Sequence, residues 1–271
     1  MQLFFLATNV ATTMARYQLT LVYDGTEFFG SQRQAKSRTV QGELEKALRT
    51  LGWTGRSVIL AGRTDTGVHA TGQVASVDLD WSHTDDDLIR ALNAVLPADM
   101  SAKEARVVNA KFHPRFDAQS RRYRYRLFCQ PLRDPIRERF AWRVWPATDA
   151  ALLSDAARLF PGPHDFCAFG SPTSPKGTTL RTVMKAEWMQ TAQDEWQFEV
   201  QADGFLYRMV RRMVFVQVAV AQEKLSVQAI VRALAQQARA GSGNEVPSGL
   251  APAHGLTLVE VTYPHVESMG Q

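Results

Sequence analysis

Cysteine is nearly missing: Cys129 and Cys167 stand far apart in 271 residues, with no second pair near either. A disulfide framework and a four-cysteine zinc centre are thereby excluded, and a reducing cytoplasm fits best. Histidine is also sparse, at six, and His113 in the run FHPRF has no Cys or His at metal-ligand spacing, so no metal is assigned. Long apolar runs are absent too. The first 13 residues, MQLFFLATNVATT, are apolar but too short to span a bilayer, and they lack the basic start of a signal peptide. Met14 reads as the better start, with 1–13 a disordered extension outside the fold. No short-period repeat occurs, and the Ser/Pro/Gly-rich excursion Ser171–Thr179 is the one biased segment. A one-signed charge excess is small overall, 31 Lys and Arg against 27 Asp and Glu, yet it is concentrated. Lys111–Arg143 holds ten cations and three acids, a local net of +7 that exceeds the whole-chain +4. With 45% hydrophobic residues the chain can bury one large core or two ordinary ones.

The rest alternates between strand and helix periods. Residues 16–23, RYQLTLVY, read as a strand. Past a glycine-containing loop, Val40, Leu44, Ala47, Leu48 and Leu51 share one helix face, with Thr39 as N-cap. Short strands are expected near Ser57–Ala61 and Gln73–Leu79. Thr84 then caps a helix whose Asp85, Asp86 and Asp87 suit its positive end, Pro97 marks its finish, and Glu104–Ala110 reads as a strand. This β-α-β-β-α-β order is the split-βαβ, ferredoxin- or RRM-like arrangement, an antiparallel sheet with helices on one face and the other face free. The second half repeats the idea: a strand at 121–128, a helix after Thr148, strands at Thr182–Gln190 and Glu195–Ala202, helical stretches from Phe205 and Ser226, and a last strand Leu256–Tyr263. The expected class is α+β, with two α/β domains at 14–118 and 119–271 whose antiparallel sheets form a basic cleft. The crossing loop falls in Pro131–Trp145.

Ala61–Val74, AGRTDTGVHATGQV, packs three glycines with Arg63, Asp65 and His69 between two expected strands and is too polar for core. Taken alone, Asp65 is better read as a residue capping its own turn, which Asp does constantly beside Gly. The segment resembles the RTDxGVHAxGQV segment of the TruA-type family of tRNA pseudouridine synthases, in which the Asp is the catalytic nucleophile. The likeness extends to YDGTEFFGSQRQ (23–34), RRYRYRL (121–127), HDFCAFG (164–170), TLRTV (179–183), GFLYRMVRRMV (204–214) and APAHGLTLVEVTYP (251–264), all in the family's order.

The resemblance implies an enzyme that breaks the C1′–N1 bond of a uridine, rotates the uracil and joins C1′ to C5. There is no net oxidation, and no cofactor is required. A carboxylate suits this chemistry: it can add to uracil C6 or to ribose C1′, or remove the 2′ proton toward a glycal, and the sequence leaves all three open. By resemblance Asp65 is the nucleophile, Arg211 the partner that keeps it ionised and oriented, and Tyr123 the ring that stacks on the target base. A phosphate contact is the alternative for Arg211. The implied substrate is the tRNA anticodon stem-loop at uridines 38, 39 and 40, held across a cytoplasmic homodimer with no membrane involvement. Strand alternation puts Arg122, Arg124 and Arg126 on one face and Tyr123, Tyr125 and Leu127 on the other, separating phosphate from base contacts. Arg63 and His69 are candidate RNA contacts or loop scaffold, with a general-base His69 the alternative, and Arg181 is a further substrate-binding candidate. Phe166 and Phe169 are expected to pack under the site, and His164 to be a hydrogen-bonded loop residue.

Two departures from the family pattern concern packing rather than chemistry: Ser31 stands where the family has Trp, and Phe215 where it has Gly. Two other functions compete, a pseudouridine synthase with another RNA target and a non-catalytic RNA-binding or RNA-folding protein. The second has no use for a carboxylate facing an anionic ligand.

Overall fold

The structure, a computed structural model, describes residues 14–174, 176–235 and 246–264. The extension expected over 1–13 lies outside them. Strand β1 (Ala15–Tyr23) buries Tyr17, Leu19, Leu21 and Tyr23 at period two. Helix α1 (Val40–Thr50) starts where the Thr39 side chain accepts the Gly42 N–H, and it buries Val40, Leu44, Ala47 and Leu48. A two-residue β2 (Ile59–Leu60) and the long β3 (His69–Leu79) follow. Helix α2 (Asp85–Val95) opens on a reciprocal Thr84–Asp87 capping box, and β4 (Met100–Val108) begins four residues before its expected start.

The second half comprises β5 (Ser120–Cys129), β6 (Trp142–Val144), α3 (Ala150–Ala157), β7 (Gly162–Asp165), β8 (Leu180–Ala192), β9 (Glu195–Ala202), α4 (Met209–Ala221), α5 (Val227–Ala235) and β10 (Leu256–Thr262). The short β6 and β7, with three and four residues, carry too little periodic signal to be foreseen. Strands run in the order β4-β1-β3-β10-β5-β9-β8-β7, with β2 on β3 and β6 on β5. The antiparallel sheets expected of the two halves are thus joined edge to edge in one ten-stranded sheet.

The join is the last strand: β10 pairs parallel with β3 through Thr257 and Leu258 and antiparallel with β5. Gly72 permits this approach, because a Cβ there would lie 2.1 Å from the Val259 carbonyl oxygen. One contiguous core runs from Leu19 through Tyr125 and Phe198 to Met213 of α4, and each fully buried Leu or Phe contributes roughly 1.5–3 kcal/mol. Among the described residues no helix is long and apolar enough to cross a membrane.

Candidate active site

The loop between β2 and β3 is held by hydrogen bonds at Ala61, Gly62, Thr64, Asp65, Gly67 and Val68. Ala61 N–H donates to the Val74 carbonyl, so the chain leaves the sheet beside β3 and turns back at Asp65, whose carbonyl accepts the Val68 N–H at 3.1 Å. Gly67, third in that turn, has φ +79°, a conformation that strains other residues. Thr64, just before Asp65, is fixed three ways. Its carbonyl accepts the Ser31 N–H at 3.0 Å, its N–H donates to Ser31 Oγ at 2.8 Å, and its hydroxyl meets the buried Tyr23 hydroxyl at 2.9 Å. Gln73 Nε2 donates to the Gly62 carbonyl at 3.0 Å. Ser31, in the family's Trp position, is fully buried as one half of this clamp.

Arg211 reaches the loop from the first turn of α4. Its Nε donates to the Ala251 carbonyl at 2.8 Å and one terminal nitrogen donates to Asp65 Oδ2 at 2.9 Å. The two side chains are 15% and 24% exposed, so the pair is half-shielded but open to a ligand. Arg212, the next residue on this helix, has its Nε buried without a hydrogen-bond partner. Tyr123 lies in the same cleft with its ring nearly buried, edge-on to Phe205 at 5.1 Å and 87°. Burial pushes its hydroxyl well above the usual tyrosine range, so it stays neutral.

These residues line a cleft of about 1410 Å³. Arg63, Arg115, Arg121, Arg181, Arg208 and Arg211 face it, against two carboxylates, Asp65 and Asp203. Arg63 is exposed at the loop, and Arg181 bonds the carbonyls of Thr178 and Leu180. Arg208 caps α4 at φ +64° with its guanidinium 4.7 Å over the Tyr207 ring. Arg115, Arg208 and Tyr207 also line the cleft, although nothing in the FHPRF and GFLYRMVRRMV runs that contain them marks them out. Arg121, equally unmarked, donates to the carbonyls of Asp203, Arg115 and Ala61 and so ties the Asp65 loop to its neighbours.

The faces of β5 are as the alternation predicts, but the charge on one of them is not. Arg122 bonds Glu260 and Glu199, Arg124 bonds Glu199, and Arg126 bonds Glu195. They lie on the sheet face opposite Tyr123 and the cleft, neutralised by β9 and β10, so they do not serve as its phosphate contacts. Arg121, on the Tyr123 face, is the arginine of this strand that lines the cleft. The +7 stretch dissolves in the same way, since Arg133, Arg137, Arg139 and Arg143 also pair, with Glu138, Asp194 and Asp24.

His69 sits outside the cleft lining. Gly25 N–H donates to Nδ1 at 2.9 Å, leaving Nε2 to donate to the His254 carbonyl at 3.0 Å. Asp24 Oδ1, 3.1 Å from Nδ1, would favour a charged ring, but burial is the larger effect and lowers the His69 pKa. A neutral His69 therefore pins the end of the Asp65 loop to Gly25 and to the turn before β10. Phe166 and Phe169 are fully buried around Phe160, and His164 bonds the Pro161 carbonyl. Phe215 covers Gly249, where a Cβ would lie 2.1 Å from the ring, so the large residue on α4 is matched by a missing one opposite. Among the described residues no group of three or more His, Cys, Asp or Glu is placed to hold a metal ion.

The sequence profile described as tRNA pseudouridine synthase matches residues 21–117 and 156–264. The tRNA pseudouridine synthase A of Chloroflexus aurantiacus is 39% identical over 257 residues, 93% of this chain and 90% of that protein. Its namesakes in Methylacidiphilum infernorum and Bacillus licheniformis are 41% and 37% identical, each over 92% of this chain, covering 95% and 99% of their own lengths. Among solved structures, a chain titled as a Cbf5-Nop10-Gar1 complex is matched over 74% of this chain and 45% of its own length, at 12% identity and a TM-score of 0.33, too slight a likeness to bear on the fold.

Proposed function

The chain belongs to the tRNA pseudouridine synthase family, and from that premise we propose that it isomerises uridine to pseudouridine at positions 38, 39 and 40 of the tRNA anticodon arm, with Asp65 as nucleophile. The observation that carries the proposal is the Asp65–Arg211 pair in an arginine-lined cleft. Arg211 is itself anchored on the Ala251 carbonyl, so it holds Oδ2 in place while Oδ1 is left for the substrate. A duplex hides its base edges, so the target uridine leaves the stem before reaction, and Tyr123 is the ring against which the uracil is held. Asp65 bonds to ribose C1′ or to uracil C6, the C1′–N1 bond breaks, the base turns, C1′ bonds to C5, and the bond to Asp65 breaks again, displaced by C5 in the first case and eliminated from C6 in the second. At that point C5 carries both the sugar and its hydrogen. Loss of that proton restores the ring, while N1 takes up a proton.

Arg63, Arg115, Arg181 and Arg208 make no ion pair among the described residues and are proposed to take the phosphates. The reading carries with it a cytoplasmic homodimer, for which sedimentation of the protein with and without tRNA is the check. The chemistry is tested by tritium release from C5-labelled uridine in unmodified tRNA, with modified sites mapped by carbodiimide treatment and primer extension. Release mapped to 38–40 is expected. Release mapped elsewhere would overturn the choice of substrate, and binding without release would favour a non-catalytic RNA-binding protein.

A further inference from the structure

Phe116 is 76% exposed, yet the segment that presents it is braced throughout. His113 stacks on the Phe116 ring at 4.2 Å and 25°, and its Nδ1 accepts the N–H groups of both Arg115 and Phe116. His113 N–H donates to Asp117 Oδ2, Asp117 N–H returns to the His113 carbonyl, and the Tyr263 hydroxyl donates to the Pro114 carbonyl at 2.7 Å. A lone exposed phenylalanine is ordinary on a protein surface. A ring with one face covered by imidazole, the other free, and its backbone fixed on both sides is a preformed stacking surface.

Its position gives it a ligand. Phe116 and His113 line the same cleft as Asp65 and Tyr123. Arg121 donates to the carbonyls of Arg115 and Ala61, so one guanidinium ties the Phe116 segment to the start of the catalytic loop. Beside it, the Arg115 side chain bonds Thr173 and makes no ion pair among the described residues. An aromatic face next to an unpaired guanidinium is the combination that holds a base by its π-face and the adjoining phosphate by charge.

We propose that Phe116, backed by His113, is the stacking platform for an unpaired base adjacent to the target uridine in the RNA strand. The proposal rests on the function above and adds a second base contact, which decides how the strand is aligned over Asp65. Because every base has a π-face, the platform selects for an unstacked neighbour rather than for a particular base.

The test uses unmodified tRNA, with tritium release for turnover, and an anticodon-arm RNA carrying 2-aminopurine beside the target for stacking. Phe116→Ala is expected to weaken RNA binding about 5- to 100-fold, with the loss falling on KM more than on kcat, and to abolish the 2-aminopurine quenching seen with the parent. Phe116→Trp is expected to restore both, and Phe116→Leu neither. Parental binding and quenching in Phe116→Ala, or full rescue by Leu, would overturn the platform while leaving the isomerase intact. A parent that neither binds nor releases tritium would remove the functional reading and the platform together.

Discussion

Replacing Arg211 with Lys keeps the positive charge and removes the fork. The guanidinium serves two acceptors at once, Asp65 Oδ2 at 2.9 Å and the Ala251 carbonyl at 2.8 Å, whereas one ammonium cannot hold both in the same directions. A charge-assisted hydrogen bond contributes roughly 1.5–3 kcal/mol and a buried acceptor left without a donor costs roughly 1–3 kcal/mol. Because the pair retains 15% and 24% exposure, water recovers part of either loss. The expected destabilisation is therefore about 1–3 kcal/mol by urea unfolding. Activity is expected to fall further than stability, about 100-fold in kcat, because a displacement of roughly 1 Å in a reacting group has an effect of that size. Combining Arg211→Lys with Asp65→Asn in a double-mutant cycle should give a coupling of about 1–2 kcal/mol, as for residues in direct contact. A coupling below about 0.5 kcal/mol, with kcat within about threefold of the parent, would refute the reasoning.

Ser31→Ala leaves the Thr64 N–H without its acceptor in a fully buried place, so a loss of roughly 1–3 kcal/mol and a lower kcat are expected, and an unchanged urea midpoint would count against the clamp. Arg208→Ala should lower RNA affinity and reduce the log–log salt slope by about 1, while Arg124→Ala, already bound to Glu199, should leave both near parental values. Burial lowers the folded-state pKa of His69 below its unfolded value of about 6.5. Its contribution to stability is thus complete above that pH and is lost as pH falls through the folded pKa. Urea midpoints should decline from pH 7 toward 5, and His69→Asn should flatten that window. Asp78, Asp99 and Asp194, held low mainly by Arg16, Arg38 and Arg137, act in a separate and more acidic window.

Much of this arrangement was legible in the residues. The caps at Thr39 and Thr84, the period-two strands β1 and β5, and the order of the longer elements follow from local patterns that burial then enforces. The edge-to-edge join through β10 could not be read, because it depends on Gly72 and Val259 meeting across 187 positions of sequence. The charge on β5 was misread for the same reason. Arg122, Arg124 and Arg126 look free in a basic run, but their carboxylates lie on strands that arrive 69 to 138 residues later. Asp65 and Arg211, 146 residues apart, are linked in the sequence only through family likeness, since neither spacing nor periodicity connects a turn to a distant helix. Conversely, Arg115 and Phe116 were in plain view but carried no pattern that tells a cleft wall from an ordinary loop.

The most direct test of the central claim compares the parent with Asp65→Asn, which keeps the shape of the side chain and removes its charge. Tritium release from C5-labelled tRNA and tRNA binding are measured on the same preparations. The parent should release tritium, and the variant should bind tRNA with comparable affinity and release none. Release by Asp65→Asn at a rate near the parent's would contradict a nucleophilic role for this carboxylate.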